Sequence, residues 1–360
     1  MKSPIWSVGI GFTNKCNMHC GFCYSKTARE QHDDLSLDVW KKFIKQNGKE
    51  INCINYGTGE NTLVKEWFEL IQFVRSNFPS ITQALTTNGY LWNAIDDQDC
   101  YNSFMTAIDE VDISLDFADH KKHNALRGVD NAYSMALKTA ELCQRTEKIS
   151  TFVMLGIEET LEIENLNSIF QLAKEFNAFV RINIYRPISD QGFDSPKFES
   201  IIRSLDWIFE NHYVVSLSDS LINSLYNNQE SKRAHSHAKS LRILSHGDIT
   251  PSTYLVTPEW VASNIVEENV LNTLLLTKPF QVFEKAPIPR NCMQCQLVES
   301  CKGGTYDRRI LFYGTLEERD PYCPFRYYPD YQLPQKQISY EANGPAIHAD
   351  YLPTLIFKPK

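Results

Sequence analysis

Ten cysteines are spread along the 360 residues, and seven of them fall into two spaced groups. The first is a C-x3-C-x2-C triplet made of Cys16, Cys20 and Cys23. The second comprises Cys292, Cys295, Cys301 and Cys323. Because cysteines in a reducing compartment rarely form disulfides, we interpret both groups first as metal or redox sites. The other three stand alone in apolar or helical surroundings, as buried packing cysteines do. They are Cys53, Cys100 and Cys143.

The triplet can form one metal centre only if its segment wraps as a loop. It supplies one ligand fewer than a closed tetrahedral zinc site or an all-cysteine iron–sulfur cubane requires. One coordination position would therefore stay open, as a catalytic centre needs. The alternative is a zinc site completed by His19, which lies inside the triplet.

The second group supplies four ligands, which is enough to close a site. An iron–sulfur cluster and a structural zinc ion would use the same four thiolates. The residue types alone do not decide between these two metals.

Composition and charge exclude several classes of protein. The length favours one large domain plus a smaller one, and 42% hydrophobic residues are ordinary for a globular chain. A formal charge of −8 without a basic block argues against a broad nucleic-acid surface. No apolar run approaches the ~20 residues of a membrane-spanning helix, and the N-terminus lacks a signal peptide's features. We therefore expect a cytoplasmic protein with neither nucleic-acid nor membrane partners.

Strand-like and helix-like periods alternate up to about residue 190, which predicts βα units around a parallel sheet. The predicted strands cover residues 5–12, 51–56, 82–87, 110–117, 150–157 and 179–185. The predicted helices cover residues 37–48, 63–77, 98–108, 132–145 and 161–176. Six such units fit an incomplete barrel better than a closed eight-stranded one.

Two of these strands alternate polar with apolar residues. Asp112, Ser114 and Asp116 share one face of the fourth strand, because side chains alternate with period two. Arg181 and Tyr185 do the same on the sixth strand. We expect the polar faces to line a barrel lumen, which a wide, ligand-holding barrel tolerates. The alternative is that these polar residues only satisfy one another.

The triplet resembles the signature of the radical S-adenosylmethionine (radical SAM) superfamily, C-x3-C-x-aromatic-C after the first strand of a partial barrel. Phe22 fills the aromatic position. The resemblance implies a [4Fe-4S] cluster on the three thiolates, with S-adenosylmethionine on the fourth iron. Reductive cleavage then yields a 5′-deoxyadenosyl radical that removes hydrogen from carbon. A flavodoxin- or ferredoxin-type electron donor is implied as well.

Further short segments match the superfamily in order along the chain. Thr58-Gly59-Glu60 resembles its Gly-Gly-Glu turn, in which backbone carbonyls and the carboxylate receive the ammonium of S-adenosylmethionine. Thr58 in place of glycine is a departure, since a Cβ restricts the backbone. The segment that ends in Arg127 resembles one that sends an arginine to the carboxylate. The S-adenosylmethionine-binding residues implied by the resemblance are Phe22, Thr58, Gly59, Glu60, Asn88, Ser114 and Arg127.

The second cysteine group resembles the SPASM or twitch extensions of radical SAM enzymes. Its four cysteines occupy the positions of one auxiliary [4Fe-4S] cluster. The ligands of a second auxiliary cluster are missing, since Ser252 and Thr305 stand where cysteines are expected. The resemblance therefore implies two clusters in total and leaves electron transfer or structural support as the auxiliary role.

The predicted architecture is α/β, a partial (β/α)6 TIM-like barrel followed by a smaller SPASM/twitch-like α+β domain. The barrel is expected over residues 1–197, a helical bridge over 198–240 and the auxiliary-cluster domain over 241–330. A hairpin over 241–252 opens that last domain, and residues 331–360 form an extended tail.

The resemblance implies a peptide-modifying enzyme of ribosomal natural-product maturation that crosslinks, epimerises or oxidises its precursor peptide. The alternative is a radical SAM dehydrogenase or epimerase of a small molecule, such as an aminocyclitol. A non-enzymatic iron–sulfur or zinc-binding scaffold is a third interpretation. Epimerisation would need a hydrogen donor, for which Cys53 is the candidate, and Asp116 and Tyr185 are candidate substrate-site residues.

Overall fold

The computed structural model describes residues 5–25, 32–188, 194–226, 238–345 and 354–360. Packing divides the chain into two compact units. Unit 1 contains residues 1–115, 119–152 and 237–282, and unit 2 contains residues 116–118, 153–236 and 283–360. The four predicted segments, with boundaries at 197, 240 and 330, stay a prediction, since these units divide the chain by packing and not by role.

Unit 1 is built on four strands that pair in parallel and follow one another along the chain. They are β1 (Ile5–Ile10), β2 (Ile51–Tyr56), β3 (Thr82–Thr87) and β4 (Glu110–Ser114). The helices of unit 1 up to β5 are α1 (Leu37–Asn47), α2 (Lys65–Asn77), α3 (Leu91–Ala94), α4 (Gln98–Ala107), α5 (His120–Arg127) and α6 (Ala132–Arg145). Parallel strands joined by helices are typical of a partial TIM barrel, so the α/β prediction is confirmed.

The two faces of this sheet differ in chemistry, as the alternation of side chains along a strand requires. One face is apolar and buried, and on it Tyr56 packs edge-on against Trp67 of α2, with ring centroids 5.6 Å apart. On the other face Thr86 Oγ1 lies 3.1 Å from Asn55 Oδ1 and 3.3 Å from Asp112 Oδ2. The apolar face anchors the strands, and part of the polar face is hydrogen-bonded within itself.

A hairpin extends the β1 edge of this sheet. Strand β8 (Ala238–Ile243) pairs in parallel with β1, and β9 (Asp248–Thr250) returns antiparallel to β8. Strand β10 (Ser263–Asn264) completes this edge against β9. Gly247 makes the turn at φ +95°, a region that glycine enters without a steric penalty. The predicted hairpin is confirmed, and it lies in unit 1.

Unit 2 contains a second group of strands. Strand β11 (Leu355–Lys358) lies between β6 (Phe179–Ile184) and β7 (Tyr213–Leu217) and is antiparallel to both. Strand β5 (Ile149–Gly156), next to β6, contains the boundary between the units, as does α10 (Lys278–Glu284). The other helices are α7 (Ile163–Glu175), α8 (Phe198–Asn211), α9 (Ser220–Leu225), α11 (Val298–Cys301) and α12 (Tyr306–Tyr313).

Within the predicted helical bridge over residues 198–240, the expectation of helix is wrong at residues 213–217, where β7 directly follows α8. The core of β7 is buried, and its register with β11 pairs residues more than one hundred positions apart, such as Ser216 with Ile356. A segment of five residues is too short to show a helix or strand period of its own. Its partner at the far end of the chain decides that it is a strand.

No helix within the described ranges combines the length and apolar character that a bilayer crossing requires.

His212 should make unit 2 sensitive to mild acid. Its ring stacks on Phe170 with centroids 4.0 Å apart, and burial, Lys360 and Lys174 lower its pKa from 6.5 to about 4. In the unfolded chain, His212 therefore becomes protonated below about pH 6.5. In the folded chain it becomes protonated only below about pH 4. The free energy of unfolding should fall across this window, since stability rises with pH wherever the unfolded state binds more protons.

Urea unfolding of wild type, His212→Phe and the exposed-site control His120→Gln between pH 7 and pH 4 measures this effect. The wild type and the control should lose more stability across the window than His212→Phe does. Equal losses in all three proteins would show that His212 does not contribute.

Candidate functional site

The three cysteines of the triplet lie on an irregular loop, residues 13–25, which we call the cysteine loop. Cys16, Cys20 and Cys23 are each half-buried. Cys16 and Cys20 pack against a small apolar cluster that consists of Met18, Ala132 and Met135. Packing therefore positions Cys16 and Cys20, and all three cysteines stay partly exposed, whereas His19 is exposed to solvent.

The start of the cysteine loop is fixed by one carboxylate. Asp34 accepts hydrogen bonds from Thr13 Oγ1 at 2.5 Å and from the Asn14 backbone N–H at 2.7 Å. Just before the loop, the Phe12 N–H donates to Asn61 Oδ1 at 3.2 Å. These hydrogen bonds fix the direction in which the backbone leaves β1 and enters the cysteine loop.

The turn after β2, residues 57–60, packs directly on the backbone of the cysteine loop. The Glu60 N–H donates to the Lys15 carbonyl at 2.7 Å. A Cβ added to Gly59, which has φ +62°, would lie 2.4 Å from the Thr13 carbonyl oxygen and 2.6 Å from that of Lys15. Only glycine fits there. Thr58 has φ +93°, a strained conformation for a β-branched residue that costs about 1–3 kcal/mol.

The carboxylate of Glu60 is fully buried and points at the end of β3. It accepts hydrogen bonds from Thr87 Oγ1 at 3.0 Å, from the Asn88 N–H at 2.7 Å and from Thr62 Oγ1 at 2.6 Å. Burial raises its pKa, and these hydrogen bonds act in the opposite direction. In this structure the carboxylate joins the ends of β2 and β3, and its expected contact with the ammonium of S-adenosylmethionine stays a prediction.

The end of β3 reaches the cysteine loop through Asn88. Its Nδ2 donates to Asn17 Oδ1 at 2.8 Å and lies 3.7 Å from Cys16 Sγ. Asn88 therefore sits beside the first cysteine, as a residue of the predicted site should.

Helix α5 brings Arg127 to the same loop. The Arg127 guanidinium carbon lies 5.0 Å from the centre of the Phe22 ring, within the range of a cation–π contact. Its carbonyl oxygen lies 3.6 Å from Cys20 Sγ. Gly128 ends the helix at φ +75°, where an added Cβ would lie 3.2 Å from the His19 carbonyl oxygen. Two implied S-adenosylmethionine-binding residues, Phe22 and Arg127, thus contact each other.

Four other predicted site residues lie outside the cysteine loop. Ser114 is half-buried at the end of β4. Cys53 is buried in β2, and its thiol donates to Ser7 Oγ at 3.2 Å. Asp116 and Tyr185 belong to unit 2, where Asp116 Oδ1 accepts from the Leu155 N–H at 2.9 Å. The roles predicted for these four residues stay predictions.

The second cysteine group lies within unit 2. Its four members line one small pocket, which Arg319 and Asp320 also line. Burial raises the pKa of Cys292 and Cys301, and that of Cys323 to about 11. A buried cluster of thiols disfavours the thiolate forms unless a cation compensates their charge, so this donor set fits a metal ion or a cluster.

A buried ion triad stands behind this pocket. Arg308 is fully buried and lies 2.7 Å from Asp219 Oδ2 and 2.5 Å from Asp320 Oδ2. An added Cβ at Gly304 would lie 2.3 Å from Asp320, so glycine is required next to this carboxylate. Because breaking a buried ion pair costs about 3–5 kcal/mol, the triad holds the cysteine-bearing segments in a defined arrangement.

In the part of the chain that the structure describes, no three His, Cys, Asp or Glu side chains are already arranged to hold a metal ion. What fits a metal is the chemistry of the two donor sets. Three half-buried thiols on one loop suit an open centre, and four thiols around one pocket suit a closed one.

Sequence reasoning missed several residues that support the site. They are Asn17, Asp34, Tyr24, whose hydroxyl lies 3.2 Å from Thr58 Oγ1, and Arg242, whose Nη2 donates to the Gly57 carbonyl. Tyr24 and Asn17 lie inside or beside the triplet, so proximity to the cysteines could have indicated them. Asp34 and Arg242 are separated from their partners by up to 185 positions, and no local pattern marks them.

Comparison with known proteins identifies the first half of the chain. Residues 10–168 match the radical SAM superfamily. The chain contains a radical SAM domain. Such a domain implies S-adenosylmethionine and a [4Fe-4S] cluster, which the three thiols of the cysteine loop fit in number.

The proteins similar to this chain include two curated relatives and one solved structure. The GTP 3′,8-cyclase of Chlorobaculum tepidum is 26% identical over 51% of this chain and 54% of its own length. The subtilosin biosynthesis protein AlbA of Bacillus subtilis is 24% identical over 82% of this chain and 65% of its own. Streptococcus suis SuiB, solved with its precursor peptide SuiA, superposes with a TM-score of 0.71 at 17% identity. That superposition covers 89% of this chain and 76% of SuiB.

These similarities cover only part of the relatives, which limits the properties that can be transferred to this chain. The chain spans about half the length of the first curated relatives it matches, between 41% and 56%. The similarity to SuiB shows that the two chains share a fold and carries no further property over to this chain.

Replacement of Glu60 tests whether its carboxylate stabilises the fold. Glu60→Ala leaves the buried Asn88 N–H without an acceptor, and an unmet buried donor costs about 1–3 kcal/mol. Glu60→Gln keeps an oxygen for that N–H, and the two threonine hydroxyls can accept from its amide. The free energy of unfolding, measured with urea, should fall in the order wild type, Glu60→Gln, Glu60→Ala.

The exposed Glu66 provides a matched control, since Glu66→Ala removes a carboxylate without burying an unmet donor. Stability of Glu60→Ala equal to that of Glu66→Ala would contradict the structural role.

Proposed function

We propose that this protein is a radical SAM enzyme that removes a hydrogen atom from a peptide substrate. One observation carries the proposal. The turn after β2, the end of β3 and the end of α5 all contact the cysteine loop, through Gly59, Asn88 and Arg127. Segments separated by more than one hundred residues therefore converge on three cysteines whose spacing suits an open cluster.

In this proposal Cys16, Cys20 and Cys23 hold a [4Fe-4S] cluster. When bound, the cluster and S-adenosylmethionine supply one-electron cleavage of the sulfonium and a 5′-deoxyadenosyl radical. The protein's own groups bind and orient. The backbone carbonyls of Thr58 and Gly59 offer acceptors for an ammonium group, and Arg127, stacked on Phe22, offers a cation for a carboxylate.

The peptide substrate is supported by two of the similar proteins. AlbA, named for the biosynthesis of the bacteriocin subtilosin, matches 82% of this chain, whereas the GTP 3′,8-cyclase match covers 51%. SuiB, which shares the fold, was solved with its precursor peptide. We therefore place this enzyme in ribosomal peptide maturation, where it crosslinks, epimerises or oxidises its substrate.

For the second cysteine group we propose an auxiliary [4Fe-4S] cluster rather than zinc. Dehydrogenation and crosslinking both leave an electron to be removed after hydrogen abstraction. A cluster can accept that electron, and zinc has no redox chemistry. A flavodoxin- or ferredoxin-type protein of a reducing cytoplasm would supply the electron that starts the reaction.

Cysteine variants of the anaerobically reconstituted protein test the two clusters. Wild type should bind ~8 iron and ~8 sulfide ions, two cubanes of four irons each. The triple variant Cys16→Ala/Cys20→Ala/Cys23→Ala should keep about half of this iron and form no 5′-deoxyadenosine with dithionite. Cys292→Ala/Cys295→Ala should also lose about half but still form 5′-deoxyadenosine. Cys100→Ala is the matched control and should equal wild type.

Two results of this experiment would overturn parts of the proposal. Formation of 5′-deoxyadenosine by the triple variant would remove the cysteine loop from the reaction. About half of the expected iron together with one zinc ion in wild type would assign the second group to zinc.

The substrate class is tested with short peptides encoded next to the gene, with GTP and with an aminocyclitol. The peptide should accelerate 5′-deoxyadenosine formation and change its own mass or stereochemistry, because productive hydrogen abstraction consumes the radical. Deuterium from a labelled peptide should appear in 5′-deoxyadenosine. Consumption of GTP or an aminocyclitol, with all peptides unchanged, would make the small-molecule alternative correct.

A further inference from the structure

Thr58 occupies a backbone conformation that threonine rarely adopts. Its φ of +93° lies in a region where a β-branched side chain clashes with its own backbone. Such a conformation persists only where surrounding contacts hold it. The resemblance to the superfamily places glycine at this position, so the threonine needs an explanation of its own.

The side chain of Thr58 contacts the cysteine loop. Its Oγ1 lies 3.2 Å from the hydroxyl oxygen of Tyr24, the residue directly after Cys23. Tyr24 is in turn held edge-on against Tyr254, with ring centroids 5.7 Å apart. One hydroxyl–hydroxyl hydrogen bond therefore connects the third cysteine's neighbour to the turn of residues 57–60.

The same turn is also held by Arg242 of β8. This arginine is 3% exposed, and its Nη2 donates to the Gly57 carbonyl. Gly9 of β1 and Gly11, which directly follows β1, leave space for this arginine and for Thr58. An added Cβ at Gly9 would lie 3.0 Å from Arg242 Nη1, and one at Gly11 would lie 2.9 Å from Thr58 Cβ.

We propose that Tyr24, Thr58 and Arg242 are positioning residues that hold the 57–60 turn in the conformation that binds S-adenosylmethionine. The inference rests on the proposed function and extends it to residues that contribute no atom to the reaction. Arg242 fixes the carbonyl of Gly57. The Tyr24–Thr58 hydrogen bond holds Thr58 in its strained conformation, so that the following peptide groups keep their orientation towards the cysteine loop.

Because Thr58 is strained, replacing it can distinguish a positioning role from ordinary structural support. Thr58→Gly removes the steric clash, so the variant should melt at the same temperature as wild type or higher. It also removes the hydroxyl, so it should bind S-adenosylmethionine more weakly. A residue that only supported the fold would move both properties in the same direction.

The decisive test is a double-mutant cycle on the anaerobically reconstituted, dithionite-reduced full-length chain. S-adenosylmethionine is titrated, and its dissociation constant is read from the change in the electron paramagnetic resonance spectrum of the reduced cluster. Tyr24→Phe and Thr58→Val each remove one hydroxyl and keep the side-chain shape. Each should raise the dissociation constant about 3- to 10-fold, as loss of one hydrogen bond does.

The cycle has its own internal check. The double variant should bind no more weakly than either single variant, because both remove the same hydrogen bond. Thr58→Ser keeps the hydroxyl and should stay within about twofold of wild type. Tyr90→Phe is the control, at a tyrosine that packs near Cys16 and Cys20 and makes no hydrogen bond to the turn among the described residues. Arg242→Lys should weaken binding independently of the cycle.

Three results would overturn this inference. Unchanged binding in both single variants, or additive effects in the double variant, would show that the hydrogen bond does not position the turn. Loss of iron from Tyr24→Phe would show that the hydroxyl supports the cysteines instead. If the spectrum of the wild-type cluster did not change when S-adenosylmethionine is added, the proposed function itself would be overturned. Unchanged binding in the variants, by contrast, would overturn only the positioning role and would leave the proposed function in place.

Discussion

The close approach of two backbones governs the first unit of this protein. The turn after β2 lies against the cysteine loop so tightly that a Cβ at Gly59 would meet two carbonyl oxygens of that loop. The Glu60 N–H donates to one of these carbonyls, so the contact is held by a hydrogen bond as well as by shape. The turn and the start of the cysteine loop are therefore coupled, since a shift of the turn would displace the loop backbone at Thr13 and Lys15, next to Cys16.

Polar side chains far apart in sequence stabilise this contact. Glu60 joins the ends of β2 and β3, and Asn88 continues from there to Cys16. Both groups are buried, where an unmet hydrogen-bonding group is costly, so the network tolerates few other arrangements. The strained Thr58 fits the same logic, because strain at a site is kept only where its surroundings enforce it.

In unit 2, paired charges hold the cysteine-bearing segments in place. Its four cysteines come from segments with little regular structure, joined by short helices. The ion triad of Arg308, Asp219 and Asp320 stands directly behind them, with Asp320 lining the cysteine pocket itself. Paired charges in a dry interior define an arrangement sharply, since any other leaves an uncompensated charge.

The sequence by itself determined the features that have a local period. The bounds of β2, β3 and α6 follow from alternation and helical periodicity, and the structure has them as predicted. The spacing of the cysteines indicated the chemistry, because three thiols within eight residues can share one centre wherever the loop folds.

Only the tertiary structure decided the contacts between distant segments. Strand β7 was predicted as helix because its partner β11 lies at the other end of the chain. The partners of the Glu60 carboxylate and the donor to the Gly57 carbonyl left no sign in the local pattern. The strain at Thr58 was signalled only by a threonine where the superfamily has glycine, and the contacts that hold it are tertiary. Local sequence sets the preferences of one segment, whereas hydrogen-bond partners and close backbone approaches depend on which segments the fold brings together.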